Sequence, residues 1–81
     1  MGDLSVRVCM GEYVVEDCLL KIASVTHLGD CLDARVAFPG AKIAVVRVGD
    51  TYRLRGRTLE EGEELRITLG NIDVWVSNEP S

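Results

Sequence analysis

Glycine followed by a polar residue recurs between the apolar runs of this sequence, and this pattern constrains the fold more than any other feature. A two-residue type II′ hairpin turn requires glycine at its first central position, because that position has a positive φ. Each pair is flanked on both sides by residues that favour strands. The pattern predicts four β-hairpins, with turns at Gly11-Glu12, Gly29-Asp30, Gly49-Asp50 and Gly70-Asn71.

Further turn signals divide the intervening segments into strand lengths. They are Glu16-Asp17, Pro39-Gly40 and an acidic loop at residues 60–64. β-branched residues are frequent in the remaining runs, and only residues 57–64 would accommodate a helical turn. The sequence predicts an all-β meander of about eight short strands: Leu4–Met10, Tyr13–Val15, Cys18–Leu28, Cys31–Phe38, Lys42–Val48, Thr51–Arg55, Glu64–Leu69 and Ile72–Ser77.

The two halves of the chain share short motifs. Val6-Arg7-Val8 recurs as Val46-Arg47-Val48, and residues 33–36 match residues 73–76. If the match is not chance, two four-strand halves related by a pseudo-twofold axis would form a compact barrel or a sandwich, either of which protects strand edges. We expect a single β domain over residues 1–81, because so short a chain does not divide into two domains. Its small core would gain stability from dimerisation.

Each turn also predicts which residues face each other across its strands. Around Gly70-Asn71, the apolar residues form a core face, while Arg66 faces Trp75 on the outer side and contacts its ring as a cation–π pair. The other turns predict the pairs Arg47 with Tyr52, Val46 with Arg53, Val25 with Ala34, Ala23 with Val36, Val36 with Ile43 and Ala34 with Val45.

Charge and cysteine content limit the classes of function. Lys and Arg number 9 and Asp and Glu number 13, so the net charge is −4, which disfavours general nucleic-acid binding through backbone phosphates. No apolar run approaches the roughly 20 residues that span a bilayer, and Met1-Gly2-Asp3 does not resemble the start of a signal peptide. The odd set of 3 cysteines does not suggest a disulfide framework. We expect a cytoplasmic protein.

A cluster of arginines with two aromatic residues is the candidate binding site. Arg53, Arg55 and Arg57 alternate on one predicted face of an otherwise acidic protein. Guanidinium groups bind phosphates or carboxylates, and aromatic rings supply stacking surfaces or interface anchors. In the alternative interpretation, the charges only protect a strand edge and are balanced by the acidic loop. The candidate residues are Arg47, Tyr52, Arg53, Arg55, Arg57, Arg66 and Trp75.

Metal binding and catalysis have weaker support in the sequence. Cys9, Cys18, His27 and Cys31 would form a four-ligand zinc set, but strand alternation places Cys9 and Cys18 on different faces and no CxxC pair occurs. With a single histidine and no GxSxG, HExxH or P-loop motif, no nucleophile–base arrangement is marked. We expect no metal, no cofactor and no enzymatic activity, with free thiols instead.

The layout of the first half is similar to that of the carbon storage regulator family of RNA-binding translational repressors. The shared order is Gly11-Glu12, an alternating strand, Gly29, a strand ending in Phe38-Pro39, and then Val45-Val46-Arg47. This resemblance implies a symmetric β dimer that binds RNA. The sequence departs from the family in its first strand, which has only Arg7 where the family is arginine-rich, and in the strand-rich segment that replaces the family's C-terminal helix.

A second resemblance covers the chain from Val46-Arg47-Val48-Gly49 to Val76. With its Leu59-Glu60-Glu61-Gly62 step, this stretch resembles the SpoA-type modules of flagellar and type III secretion sorting platforms, which assemble as intertwined β dimers. It lacks their Val-Asn-Gly turn and closing strands. Both resemblances imply β dimers that bind rather than catalyse.

Together these features favour a non-enzymatic protein-interaction module, such as an adaptor, an assembly component or a small inhibitor. It would use the Arg/Trp surface or an exposed edge strand to bind another protein. The alternative is a dimeric RNA-binding translational regulator, in which duplicated arginine patches overcome the unfavourable net charge.

Overall fold

Eight β-strands form the regular structure in the computed structural model, which describes residues 2–80. The prediction of an all-β fold with eight strands is confirmed, and the structure contains no helix within this range. The predicted domain boundaries, Met1 and Ser81, lie outside the described residues. The strands are β1 Asp3–Met10, β2 Tyr13–Leu20, β3 Val25–Gly29, β4 Lys42–Val48, β5 Thr51–Leu54, β6 Arg57–Leu59, β7 Glu64–Leu69 and β8 Ile72–Glu79.

The strands form two four-stranded antiparallel sheets. The first sheet has the order β2-β1-β8-β7, and the second has the order β3-β4-β5-β6. The first sheet therefore joins the N-terminal and C-terminal hairpins, because β1 pairs with β8 along its full length. Residues 2–80 form a sandwich of two separate sheets, so of the two predicted architectures the sandwich is the one observed. No helix long and apolar enough to cross a membrane is found among these residues.

Three of the four predicted glycine turns are confirmed. Gly11, Gly49 and Gly70 have φ values of 60°, 62° and 63°, and each begins a two-residue connection between paired strands. The residues that follow these glycines do not share the positive φ. A positive φ at only the first central residue is the pattern of a type II′ turn.

Another hairpin, between β5 and β6, was not predicted. Leu54 pairs with Arg57, so Arg55 and Gly56 form the two-residue turn. Both turn residues have positive φ, 51° for Arg55 and 74° for Gly56, which is the pattern of a type I′ turn. Arginine is an unusual residue at such a position, and this is why the turn was not predicted from the sequence.

The fourth predicted hairpin, at Gly29-Asp30, is wrong. β3 ends at Gly29 and pairs with β4 across the long loop at residues 30–41, so the predicted strand at residues 31–38 is absent. Gly29 has a φ of 101° and packs against the carbonyl of Ala41, a position that leaves no room for a Cβ atom. The loop still buries Val36 and Phe38 in the core. These apolar residues gave the segment a strand-like pattern, and the pairs predicted for it, Val25–Ala34, Ala23–Val36, Val36–Ile43 and Ala34–Val45, do not form.

The predicted turn at Glu16-Asp17 is also wrong. Both residues lie within β2, where Glu16 pairs with Val8 and Asp17 pairs with Arg7. Because β2 is an edge strand, its charged residues face solvent without breaking the strand. The predicted strand over residues 18–28 is instead divided, and β3 begins only at Val25 in the other sheet.

The core lies between the two sheets and takes alternate residues from each strand. Along β8, for example, Val74, Val76 and Asn78 point inward, while Trp75 lies on the opposite face. Burying an aliphatic side chain of this size contributes about 1.5–3 kcal/mol, so the sandwich depends on this alternation. The buried aliphatic and aromatic residues include Leu4, Val6, Val8, Leu28, Val36, Ile43, Val45, Tyr52, Leu54, Ile67, Val74 and Val76.

The internal repeat does not correspond to equivalent structural positions. Val6 and Val8 are buried with Arg7 exposed, whereas Val46 and Val48 are exposed. Residues 33–36 lie in a loop, while residues 73–76 lie in the centre of β8. The two copies of the Val-Arg-Val motif therefore point opposite residues toward the core, and they do not occupy equivalent positions in the sandwich.

Candidate functional site

The β5–β6 hairpin carries three exposed arginines in close succession. Arg53 lies on β5, Arg55 in the turn and Arg57 at the start of β6. None of their guanidinium groups has a carboxylate oxygen within 4.0 Å among residues 2–80. The acidic loop places no carboxylate oxygen within this distance of them; Glu63, for example, accepts a hydrogen bond from the backbone N–H of Glu60 at 2.7 Å. The alternative interpretation, in which these arginines only protect a strand edge, expected the acidic loop to balance their charges.

Arg55 occupies a backbone conformation that is costly for any residue with a side chain. It is the only non-glycine residue with positive φ in the described part of the chain. The left-handed region costs an L-residue about 1–2 kcal/mol, because Cβ approaches the following carbonyl. Glycine or asparagine would relieve this strain. The turn therefore holds a guanidinium group at its tip at the expense of stability.

Arg55 and Arg57 meet Arg66 of the first sheet along one open groove. The groove has a volume of about 340 Å³, and its walls come from the β5–β6 hairpin on one side and from β7 on the other. It forms where the edge strands of the two sheets, β6 and β7, follow each other in the chain. Leu65, Ile67 and Thr68 complete the lining. The structure thus brings together arginines that the sequence placed on different hairpins.

Arg66 is held in a small network on the outer face of the first sheet. Its Nη2 donates to Oδ2 of Asp73 at 3.0 Å, and its Cζ lies 5.3 Å from the centroid of the Trp75 ring. The Thr68 hydroxyl donates to Oδ1 of Asp73, also at 3.0 Å. The hydrogen bond from Arg66, and then that from Thr68, lower the pKa of Asp73 below its ordinary value. The predicted pairing of Arg66 with Trp75 is confirmed.

Arg7 lies beside this network and was not among the predicted site residues. It pairs with Trp75 across β1 and β8 and contacts Asp17 at 3.4 Å. The outer face of the first sheet therefore carries a row of Asp17, Arg7, Trp75 and Arg66. The sequence provided no signal for Arg7, because it reaches Trp75 only through the pairing of the first and last strands.

Two predicted site residues are part of the structural framework. Tyr52 is only 2% exposed and donates its hydroxyl to the carbonyl oxygen of Gly2 at 2.7 Å, so the prediction of an exposed stacking ring is wrong. Burial also raises the pKa of Tyr52. Arg47 is half-buried, and it donates to the carbonyls of Ile22 at 3.2 Å and Gly49 at 3.0 Å. Four of the remaining residues, Arg55, Arg57, Arg66 and Trp75, form what we term the arginine surface. Arg53 does not join them, because it pairs with Val46 and Thr58 on the exposed face of the second sheet, whereas Arg57 pairs with Leu54, whose side chain is buried. The prediction that Arg53, Arg55 and Arg57 share one face is therefore wrong.

The cysteines and His27 form no obvious reactive centre. Within residues 2–80, no three His, Cys, Asp or Glu side chains are placed to share a metal ion. Burial, followed by the hydrogen bond to Glu16, raises the pKa of the Cys18 thiol; burial and the charge of Asp33 raise that of Cys31. Both shifts oppose formation of the thiolate, which is the form that acts as a nucleophile or metal ligand.

No family model, no curated protein and no solved structure matches this chain. The resemblance to the carbon storage regulator family relied in part on a strand ending in Phe38-Pro39, and residues 31–38 form a loop instead. The geometry of the protein itself therefore supplies the argument for function.

Proposed function

We propose that this protein is a non-enzymatic protein-interaction module, such as an adaptor, an assembly component or a small inhibitor, that binds an acidic segment of another protein through the arginine surface. One observation carries the proposal: Arg55, Arg57 and Arg66 line one groove, and the first two have no carboxylate partner within the described chain. Such a cluster in a protein with a net charge of −4 favours a carboxylate-bearing ligand.

The energetics of the groove support an external partner. Guanidinium groups left unpaired in an acidic protein gain charge-assisted hydrogen bonds when a partner supplies carboxylates, and Arg–carboxylate pairs are often bidentate. Arginine and tryptophan are also the residues most enriched among those that dominate binding energy at interfaces. Arg66 and Trp75 are already ordered against each other, which lowers the entropy lost on binding.

The strained turn supports the same proposal. A left-handed arginine costs stability, and strained residues cluster at functional sites. Replacing Arg55 with glycine would remove both the strain and the guanidinium group, so this single variant should weaken binding while it stabilises the fold. The free thiols of Cys9, Cys18 and Cys31 are consistent with this interaction taking place in a reducing compartment such as the cytoplasm.

The test is a titration of the folded protein with short fluorescent ligands, followed by anisotropy. The ligands are an extended peptide rich in Asp and Glu, its counterpart with Lys at the same positions, and a single-stranded RNA. We expect the acidic peptide to bind, and we expect Arg55→Gly combined with Arg57→Ala to weaken that binding by about ten-fold or more. Arg35→Ala, which removes one exposed arginine from the loop at residues 30–41, is the control for loss of a positive charge elsewhere and should leave binding within about two-fold.

Two outcomes would overturn the proposal. Equal loss of binding in Arg35→Ala and in the paired variant would show that only net charge matters. Binding of the RNA in preference to the acidic peptide, with a steep decrease at higher salt, would instead support the dimeric RNA-binding regulator, because the same guanidinium groups bind phosphates.

A further inference from the structure

The open edge of the first sheet at β2 carries four large apolar side chains that are exposed to solvent. β2 pairs with β1 on one side only, so the other side presents backbone donors and acceptors without partners in a sheet. Tyr13, Val14, Val15 and Leu19 are 79%, 55%, 59% and 62% exposed. Exposed apolar groups gathered on one element mark interaction sites more often than those scattered singly.

This edge has only part of the usual protection against strand pairing. Proteins shorten their edge strands, place charges on them, lysine above all, or interrupt them with bulges to prevent association. β2 has 8 residues, compared with 3 in β6 and 5 in β3, and it contains no lysine or arginine. A bulge at Val15 interrupts the register near the turn, but residues 16–20 pair regularly with β1. A regular, accessible stretch of edge therefore remains available.

The charges on β2 indicate what kind of strand it accepts. Its charged residues, Glu16 and Asp17, are both acidic, and Glu12 lies in the preceding turn. Asp17 contacts Arg7 through Oδ2 alone, at 3.4 Å. Antiparallel pairing of two copies centred on Glu16 would place Glu16 opposite its own counterpart, and pairing centred on Asp17 would do the same for Asp17; like charges directly opposite each other destabilise a sheet. A basic strand would meet complementary charges.

We infer that β2 is a strand-addition site for an extended, basic segment of a partner protein. The added segment hydrogen-bonds to the backbone of residues 16–20, carries Lys or Arg opposite Glu16, and places an apolar side chain opposite Leu19, as a strand of alternating basic and apolar residues does. This site lies at the edge of the first sheet opposite to β7, so it is separate from the arginine surface and does not depend on it. The module would then have two binding edges of opposite charge preference.

The experiment is an NMR titration of the labelled protein with a peptide of alternating Lys and Val. Its controls are the Glu/Val counterpart and a Lys/Pro peptide, in which proline replaces each valine and removes its backbone N–H donor. We expect the Lys/Val peptide to shift the amide signals of residues 13–20 and to bind about ten-fold more tightly than either control peptide. Shifts outside β2, or equal binding by the Glu/Val peptide, would overturn the inference.

Variants at exposed positions complete the test without threatening the fold. Glu16→Lys and Leu19→Lys should each weaken binding of the Lys/Val peptide, while Val25→Lys, at an exposed apolar position of the edge strand β3, should leave it unchanged. Arg55→Gly with Arg57→Ala should also leave it unchanged, so failure of this site and failure of the arginine surface can be told apart. Self-association that is lost in Leu19→Lys would assign the edge to a second copy and overturn the inference.

Discussion

The guanidinium group of Arg66 lies over the ring of Trp75, with 5.3 Å between Cζ and the ring centroid, and it also contacts Asp73 at 3.0 Å. One side chain therefore links an aromatic ring and a carboxylate on the neighbouring strand. Because Arg66 also lines the groove with Arg55 and Arg57, this network fixes the position of one wall of the arginine surface.

The contact between Arg66 and Trp75 should be measurable as a coupling energy. We expect a double-mutant cycle with Arg66→Gln and Trp75→Leu to give about 0.5–1 kcal/mol, the range for an exposed cation–π pair. Urea unfolding of the four proteins measures it. The same cycle with Arg7→Gln is the control, because Arg7 faces Trp75 across β1 and β8. Equal coupling in both cycles would contradict a specific stacking contact of Arg66.

The lowered pKa of Asp73 predicts how stability depends on pH. The folded carboxyl binds a proton less readily than the unfolded one, so its contribution is present above the unfolded value of about 3.9 and is lost as pH falls through the lower folded value. Asp73→Asn should melt below the wild type near neutral pH, and the two melting temperatures should converge as the pH falls toward about 2. Thermal melts followed by circular dichroism measure this.

Asp30→Asn is the matched control for loss of a negative charge, since Asp30 is exposed on the loop at residues 30–41. Its difference from the wild type should be small at neutral pH. A difference as large as that of Asp73→Asn would show that net charge, rather than the contacts with Arg66 and Thr68, is responsible.

Two glycines with positive φ should respond very differently to alanine. At Gly29, where φ is 101°, a Cβ atom would overlap the carbonyl oxygen of Ala41; at Gly11, where φ is 60°, nothing lies within 4 Å. We expect Gly29→Ala to cost more than about 3 kcal/mol and Gly11→Ala about 1 kcal/mol. Chemical denaturation measures both. Similar costs would mean that the loop at residues 30–41 moves away freely.

The strain at Arg55 predicts a stabilising substitution. Arg55→Gly should raise the free energy of unfolding by about 1 kcal/mol, because glycine adopts the observed φ of 51° without a clash. Arg53→Gly, on the neighbouring strand, should instead destabilise, since glycine weakens a strand interior. Unfolding in urea distinguishes the two, and a destabilised Arg55→Gly would show that the arginine side chain contributes to folding.

Buried polar contacts join the two sheets, and their loss should be costly. Asn78 donates from Nδ2 to the carbonyls of Asp50 at 2.9 Å and Leu59 at 3.0 Å, and it is 1% exposed. Asn78→Leu leaves the buried Leu59 carbonyl without its donor and should cost about 1–3 kcal/mol. Tyr52→Phe, which removes one hydrogen bond to Gly2, should cost about 0.5–1.5 kcal/mol. The reverse ranking in calorimetry would contradict this account of the sheet junction.

The local part of the fold could be read from the sequence because hairpin registers depend on a few adjacent residues. Gly70-Asn71 determines that Leu69 faces Ile72 and that Arg66 faces Trp75, and both pairs form. The turn at Gly49-Asp50 likewise brings Arg47 opposite Tyr52. In a two-residue loop the turn geometry leaves one register, so these parts of the candidate site were predictable.

Predictions from turn residues were wrong at positions where burial in the core, rather than the type of turn, determines where a side chain lies. Tyr52 was expected at the surface, but its strand faces the core of the sandwich, where the ring is removed from water. Val36 and Phe38 lie in a loop, yet both are buried in the core, and their apolar alternation made the segment resemble a strand. Alternation records which residues are buried, but it does not record whether a strand or a loop carries them.

The all-β class, three hairpin turns and the pairs that extend from them follow from local sequence, since neighbouring residues supply all of that information. The positions of β1 against β8, of Arg7 beside Trp75, and of arginines from both sheets along one groove follow instead from how the two sheets pack. Those contacts join segments far apart in the chain, and they are selected because they complete the burial of one common core. No short pattern encodes that choice, because it depends on every strand at once.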